Sequence, residues 1–206
     1  MLSPQHPYWY VRSIVSDNST INYLYFSFYA YSPQTVADDR SVFRVPVEQF
    51  LDPKFMSEFL ASVPAGQEAA IHSSVELADG GTRHLVLVDM ATSSKAHLEK
   101  LRVFLGDHFF QRMVWFSSGR SFHGYGADLL TDHEWVQFMG LLLLANKPRL
   151  EPTVDPRWIG HRLKAGYSAL RWTKNTSHYI ISPSRVREGG PSNSQQEVGP
   201  IGKRLR

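Results

Sequence analysis

Cysteine is absent from the 206 residues, which excludes a disulfide framework, a thiolate metal site and a cysteine nucleophile. Long apolar runs are missing too: the longest, Leu141 to Ala145, is far too short to span a bilayer. The N-terminus, Met1-Leu2-Ser3-Pro4-Gln5-His6-Pro7, lacks the basic start and apolar stretch of a secretion signal. These absences lead to the expectation of a soluble, cytoplasmic protein with no membrane partner. Nor does one sign of charge dominate. The chain has 22 basic and 19 acidic residues, a formal net charge of +3, and much of the surplus lies in Arg185, Arg187, Lys203, Arg204 and Arg206. That balance permits an anionic partner, and a solvated basic tail explains it equally well.

What is present describes a globular chain. A hydrophobic content of 42%, with 13% aromatics, is enough to bury a sizeable core. Residues 1–185 read as a single domain. Residues 186–206, rich in Gly, Pro, Ser and Gln, read as a disordered basic C-terminal tail with too little apolar surface to order itself.

Local patterns predict an α+β fold, a mainly antiparallel sheet packed by about three helices. Pro7 to Val15 and Ile21 to Tyr31 flank the turn-forming cluster Ser16 to Thr20 and read as a hairpin. A strand over Ser41 to Val47 leads into a helix with Phe55, Phe59 and Leu60 on one face and Pro53 in its first turn. Ala69 to Leu77 and Thr82 to Asp89 form a second hairpin, because Asp79-Gly80 supplies the positive φ of a tight turn. A helix over Ser94 to Phe110 and a buried strand at Met113 to Phe116 follow. Thr131 and Glu134 have capping-box spacing, and Asp155-Pro156 with Gly166 marks the start and stop of another helix. Tyr167 to Thr173 and His178 to Ser182 are expected to close the domain as a hairpin.

Three groups of residues can carry chemistry. Asp89 ends a strand, where a carboxylate can hold a hard cation; a helix N-cap or a turn accounts for it as well. In Ser118-Gly119-Arg120-Ser121-Phe122-His123 a buried strand enters a polar bend. Ser121 and His123 share a face there, and Arg120 offers charge-assisted hydrogen bonds, a combination suited to phosphate oxygens and equally to a hairpin with a satisfied histidine. Asp155 has the form of an N-cap. On the helix that follows, Trp158 and Arg162 fall on one face and Arg157 and His161 on another, so these basic groups need not meet at one site. Arg171 lies in the next strand, with an exposed edge as its plain alternative.

The order of these groups resembles the archaeo-eukaryotic primase superfamily, in its small bacterial, phage or plasmid type. In that family an acid-bearing strand precedes a helix, then a strand carrying Ser-x-His, then a motif with Asp; here these fall at Asp89, Ser121-Phe122-His123 and Val154-Asp155. The resemblance implies an RRM-like primase-polymerase core and a nucleotidyltransferase that makes or extends primers in DNA replication. It also implies Asp89, His123 and Asp155 as catalytic residues, with Asp89 and Asp155 holding Mg²⁺ or Mn²⁺. Ser118, Arg120, Ser121, His123 and Arg171 would bind the incoming NTP or dNTP. Implied partners are nucleotides, single-stranded or primed nucleic acid, and a helicase or other replication or defence subunit. The family's second acid is replaced by Ala91, which leaves open a non-catalytic nucleotide- or nucleic-acid-binding module.

Overall fold

The computed structural model describes residues 2–186. Its first element corrects the expected hairpin: Tyr8–Ser16 is a helix, α1, not a strand. Tyr8, Val11, Ile14 and Val15 are its buried residues, a helical spacing that the aromatic and β-branched composition of the segment disguises. Asp17 and Asn18 terminate this helix, the Asn18 amide donating to the Ile14 carbonyl at 2.7 Å.

Strand β1 (Ile21–Tyr29) pairs with β2 (Ser41–Pro46) on one side. The helix expected next is two helices, α2 (Val47–Leu51) and α3 (Pro53–Ala61). Pro53 disfavours helical geometry at Asp52, so Asp52 is extended and its carboxylate caps α3 through the Lys54 amide. Strands β3 (Glu68–Leu77) and β4 (Thr82–Asp89) form the expected hairpin, with Gly80 at φ 82° and Glu76 opposite Thr82. Gly106, at φ 77°, divides the next predicted helix into α4 (Lys95–Leu105) and α5 (Asp107–Gln111). After β5 (Met113–Ser117) and β6 (Phe122–Leu130), α6 (Asp132–Leu144) begins on the Thr131/Glu134 capping box, and α7 (Pro156–Ala165) runs from the Asp155 cap to Gly166.

The closing hairpin does not form. β7 (Ala169–Arg171) pairs with β3, and the two-residue β8 (Ser184–Arg185) pairs with β5. The reason lies in the β3 edge. β4 pairs with β3 only over Ser74 to Glu76, then runs beside β6, so the Ala70 to His72 stretch is left for β7 to complete.

All strand pairs are antiparallel, in the order β2-β1-β3-β4-β6-β5-β8 with β7 on β3, an α+β fold. Helices cover both faces. Phe26, Phe50, Met56 and Trp172 pack in one core with α1, α2 and α3; Val86, Val88, Leu101, Phe122 and Met139 pack in a second with α4 and α6. Seven helices are present among the described residues, two of them a single short turn or so, where about three were expected. Among the described residues no helix is long and apolar enough to cross a membrane. For function, the consequence is the fork: β7 follows β3 while β4 follows β6, and a cleft opens where the two diverge.

Candidate nucleotide-binding cleft

Asp89 and His123 stand directly opposite each other on β4 and β6 and reach the cleft from one side; Arg171 on β7 reaches it from the other. The cleft encloses about 310 Å³, the lower end of the range for small-molecule sites. Asp89 Oδ1 lies 3.6 Å from His123 Nε2. That distance suits an ion pair, but the electrostatics argue against one. Burial, reinforced by the Arg171 guanidinium, lowers the His123 pKa to about 3. Burial and the neighbouring Asp155 charge raise Asp89 to about 8, against the opposing pull of Arg171 and Arg162. Both shifts favour an uncharged imidazole and a carboxylic acid over the ion pair.

Asp155 sits beside them but is turned to another task. Its Oδ1 accepts from the Arg157 and Trp158 amides at 2.8 and 3.2 Å, while its own amide donates to the Asp89 carbonyl at 3.0 Å. It does not line the cleft.

Arg171 is buried and carbonyl-bound. It donates to Ser118 O at 3.0 Å, to Ile181 O at 3.2 Å and to Thr173 O, with its guanidinium 3.9 Å above the Tyr179 ring. Ser118 thus meets the site through its backbone. Its hydroxyl bonds to Ser121 O and Oγ at 3.0 and 2.9 Å, so the two serines face each other across the bend at Gly119, which has φ 110°. Arg120 is exposed and donates to the His178 carbonyl at 3.1 Å. Ser118, Arg120 and Ser121 do not line the cleft, whereas His123 and Arg171 do.

Further residues line it, some of them not expected to meet at one site and others, on the β1–β2 connection, without any local signature. Arg157, Trp158, His161 and Arg162 all reach the cleft, because positions 157, 158, 161 and 162 form one broad face of α7; the expected separation onto two faces is corrected. Arg40, 4.1 Å over the Tyr29 ring, and Asp38 come from the segment between β1 and β2. Five buried side-chain nitrogens lack a hydrogen-bond partner among the described residues. Three of them, His123 Nδ1, Arg162 Nη1 and Arg171 Nε, belong to residues lining this cleft. Buried polar groups are seldom left so, and three of these five belong to residues at one cleft.

Neither Glu76 nor Asp128 stands in for the acid absent at the exposed Ala91, and neither lines the cleft. Glu76 is held by Arg44 at 2.5 Å and Tyr25 at 3.0 Å, and Asp128 by Arg112 at 2.6 Å. A second constellation, Ser73 Oγ to His84 Nδ1 at 2.9 Å and His84 Nε2 to Asp132 at 3.2 Å, has the connectivity of a hydrolytic triad. Ser73 is fully buried and already accepts from the Ser168 amide, so no substrate can reach it.

The family model described as archaeo-eukaryotic primase 1D-like matches residues 48–184, which run from α2 to the start of β8 and carry Asp89, His123, Asp155 and Arg171. The chain belongs to that family. No curated protein and no solved structure matches. The primase-like domain therefore has a primase-polymerase-family function at the superfamily level, and domains of this family are generally metal-dependent. Among the described residues no three His, Asp or Glu side chains cluster as a metal site. Asp89 and Asp155 alone do not fit a two-ion centre. Only Asp89 of the two lines the cleft, where a carboxylate can share a hard cation with a ligand's phosphates.

Proposed function

We propose that residues 1–185 form one primase-polymerase-type domain whose cleft takes an NTP or dNTP, and that it adds nucleotides to single-stranded or primed nucleic acid. The single observation that carries this reading is the cluster of unpartnered buried nitrogens on His123, Arg162 and Arg171 around a polar cleft. Triphosphate oxygens are acceptors in the number and charge those groups lack. Arg171 supplies a guanidinium whose orientation is fixed by three carbonyls, including Ser118 O, so the Ser118 to Ser121 bend serves the site by positioning it. With Asp89 protonated and facing Nε2, the neutral His123 ring is free to present Nδ1–H to a phosphate oxygen.

Asp89 and Asp155 would hold Mg²⁺ or Mn²⁺, which supplies Lewis-acid stabilisation of the oxygens that attack and leave phosphorus. Asp89 must lose its proton to serve as that ligand. The continuity of the first core, which joins Tyr8 and Phe50 to Trp172, supports treating the residues before the family match as part of the same unit.

The test is incorporation of labelled nucleotide on single-stranded template with Mg²⁺ or Mn²⁺, alongside calorimetric binding of dNTP. Wild type should incorporate and bind. His123→Ala should weaken binding about tenfold, as the loss of one charge-assisted contact does, and Asp89→Ala should abolish incorporation while retaining binding. A wild type that does not bind dNTP overturns the assignment. Ala91 favours a second reading, a nucleotide- or nucleic-acid-binding module of a replication or defence system, which predicts binding without incorporation under either metal.

A further inference from the structure

The wall formed by α7 and the β1–β2 connection lies outside the motifs that point to nucleotide binding, yet it contains the cleft's most unusual charge arrangement. Arg162 is buried, with 2% of its surface exposed. One guanidinium nitrogen, Nη2, binds the Asp38 carboxylate, and the other, Nη1, has no partner. Arg40 meets the same carboxylate at 2.8 Å. Burial draws the Asp38 carboxyl toward its neutral form, but the two arginines overcome this and hold it below the usual carboxylate range.

The backbone that carries Asp38 is neither helix nor strand from residue 30 to residue 40, and most of its residues are exposed. Side chains of α7 hold it: Arg162 binds Asp38, Arg157 donates to Thr35 O at 2.9 Å, and Lys164 lies 3.5 Å from Val36 O. Tyr31 also stacks on His178, the ring centroids 4.1 Å apart, but a few polar ties and one stack on an exposed segment are a weak restraint compared with the packed core beneath it. The strongest of them is an ion pair whose anionic half a phosphate can replace.

We propose that Arg162 and Arg40 form a second anion subsite of the cleft, suited to a phosphate group, and that Asp38 is its intramolecular competitor. When a phosphate of a bound nucleotide takes Arg162 Nη1 and Nη2, Asp38 leaves and residues 30–40 lose their main attachment. The subsite rests on the nucleotide reading of the cleft and adds a regulated entrance to it. Asp39 supplies an internal control, since it lines the same cleft but is exposed and has no arginine partner among the described residues.

The test is calorimetric binding of dGTP to the full chain and to Asp38→Asn and Asp39→Asn, with segment motion read separately. Because the protein has no cysteine, Val36→Cys gives a single labelling site on an exposed residue for a fluorescent dye. Asp38→Asn should bind dGTP roughly fivefold more tightly, the scale of one ion pair removed from competition. Asp39→Asn should change binding less than twofold, about the limit of a screened surface charge. Dye anisotropy should fall when dGTP is added to the otherwise wild-type chain, and should already be low with Asp38→Asn. Equal gains for both variants with no change in anisotropy mean a general charge effect and overturn the proposal. A weaker Asp38→Asn also overturns it, because Asp38 would then position Arg162 for the ligand. In both cases wild-type binding leaves the nucleotide reading standing. No dGTP binding to any of the proteins overturns both.

Discussion

Glu68 and Asp89 are carboxylates at the start of β3 and the end of β4, and the protein surrounds them in opposite ways. Glu68 is fully buried and saturated with donors: Thr173 Oγ1 at 2.5 Å, the Asn175 amide at 2.9 Å, and the Thr176 amide and hydroxyl at 2.8 Å each. Those bonds fasten the chain that leaves β7 immediately after Arg171. Asp89 has no donor of this kind among the described residues; His123 Nε2 lies 3.6 Å away, and the charges of Asp155, Arg171 and Arg162 act on it. One carboxylate is part of the scaffold. The other is drawn toward its uncharged form by burial and a neighbouring acid, the kind of perturbed group that functional sites often contain.

Exchanging each acid for its amide separates the two roles most strongly. Glu68→Gln replaces an acceptor by an N–H pair that faces existing donors and should cost roughly 3 kcal/mol in urea unfolding at pH 7, whatever its effect on nucleotide binding. A loss below about 1 kcal/mol would mean that the Glu68 cluster is not a structural clamp.

Asp89→Asn should do the reverse. The folded protein holds this group protonated up to about pH 8, whereas the unfolded chain ionises near the ordinary carboxyl value of 3.8. Stability from Asp89 is therefore fully present below about pH 4 and declines as pH rises toward 8. Asparagine cannot ionise, so the variant should match wild type at pH 4 and exceed it by up to about 5 kcal/mol near pH 8. Denaturant melts at the two pH values measure the difference. Equal stability at both would place the Asp89 carboxylate in water.

The histidines extend the comparison to groups that the fold keeps neutral by burial. His6, lowered to about 4, and His72 and His123, lowered to about 3, are all buried, and burial is the main cause in each. The unfolded chain takes up protons on them below about pH 6.5 while the folded protein does not, so stability falls as pH drops from there toward 4. At pH 5 each should cost about 1 to 2 kcal/mol, and His72→Gln should recover its share in an acid unfolding series.

Sequence reading succeeded where one short stretch contains the whole cause. Asp79-Gly80 sets its turn, Thr131 and Glu134 cap α6, and Asp155-Pro156 starts α7, each through contacts a few residues apart. It failed where the decisive partner is distant. Nothing near Ala169 to Arg171 indicates that β3 has an unfilled edge, and α1 has strand-like residues whose helical face is defined only by Phe50 and Trp172 beneath it. The site divides in the same manner. Asp89 and His123 were legible because each ends or begins a recognisable strand, but the pairing of Asp38 with Arg162 joins residues 124 positions apart and has no local signature. The segment most conspicuous in the sequence, Ser118 to Ser121, was read as side chains reaching for phosphate, although its hydroxyls bond to each other and its carbonyl holds Arg171.

That last distinction yields the smallest effect and the finest test. Ser118→Ala removes the hydroxyl contacts to Ser121, a partly buried pair that should cost well under about 1 kcal/mol. It leaves Ser118 O in place, because every residue has a backbone carbonyl and the bend is also closed by the Ser118 amide bonding Ser121 O at 2.9 Å. If the segment works by holding Arg171, dNTP affinity measured by calorimetry should change less than about twofold. If instead the hydroxyl touches phosphate, affinity should drop about tenfold while stability barely moves, and the serines would then join His123 and Arg171 as direct ligand contacts.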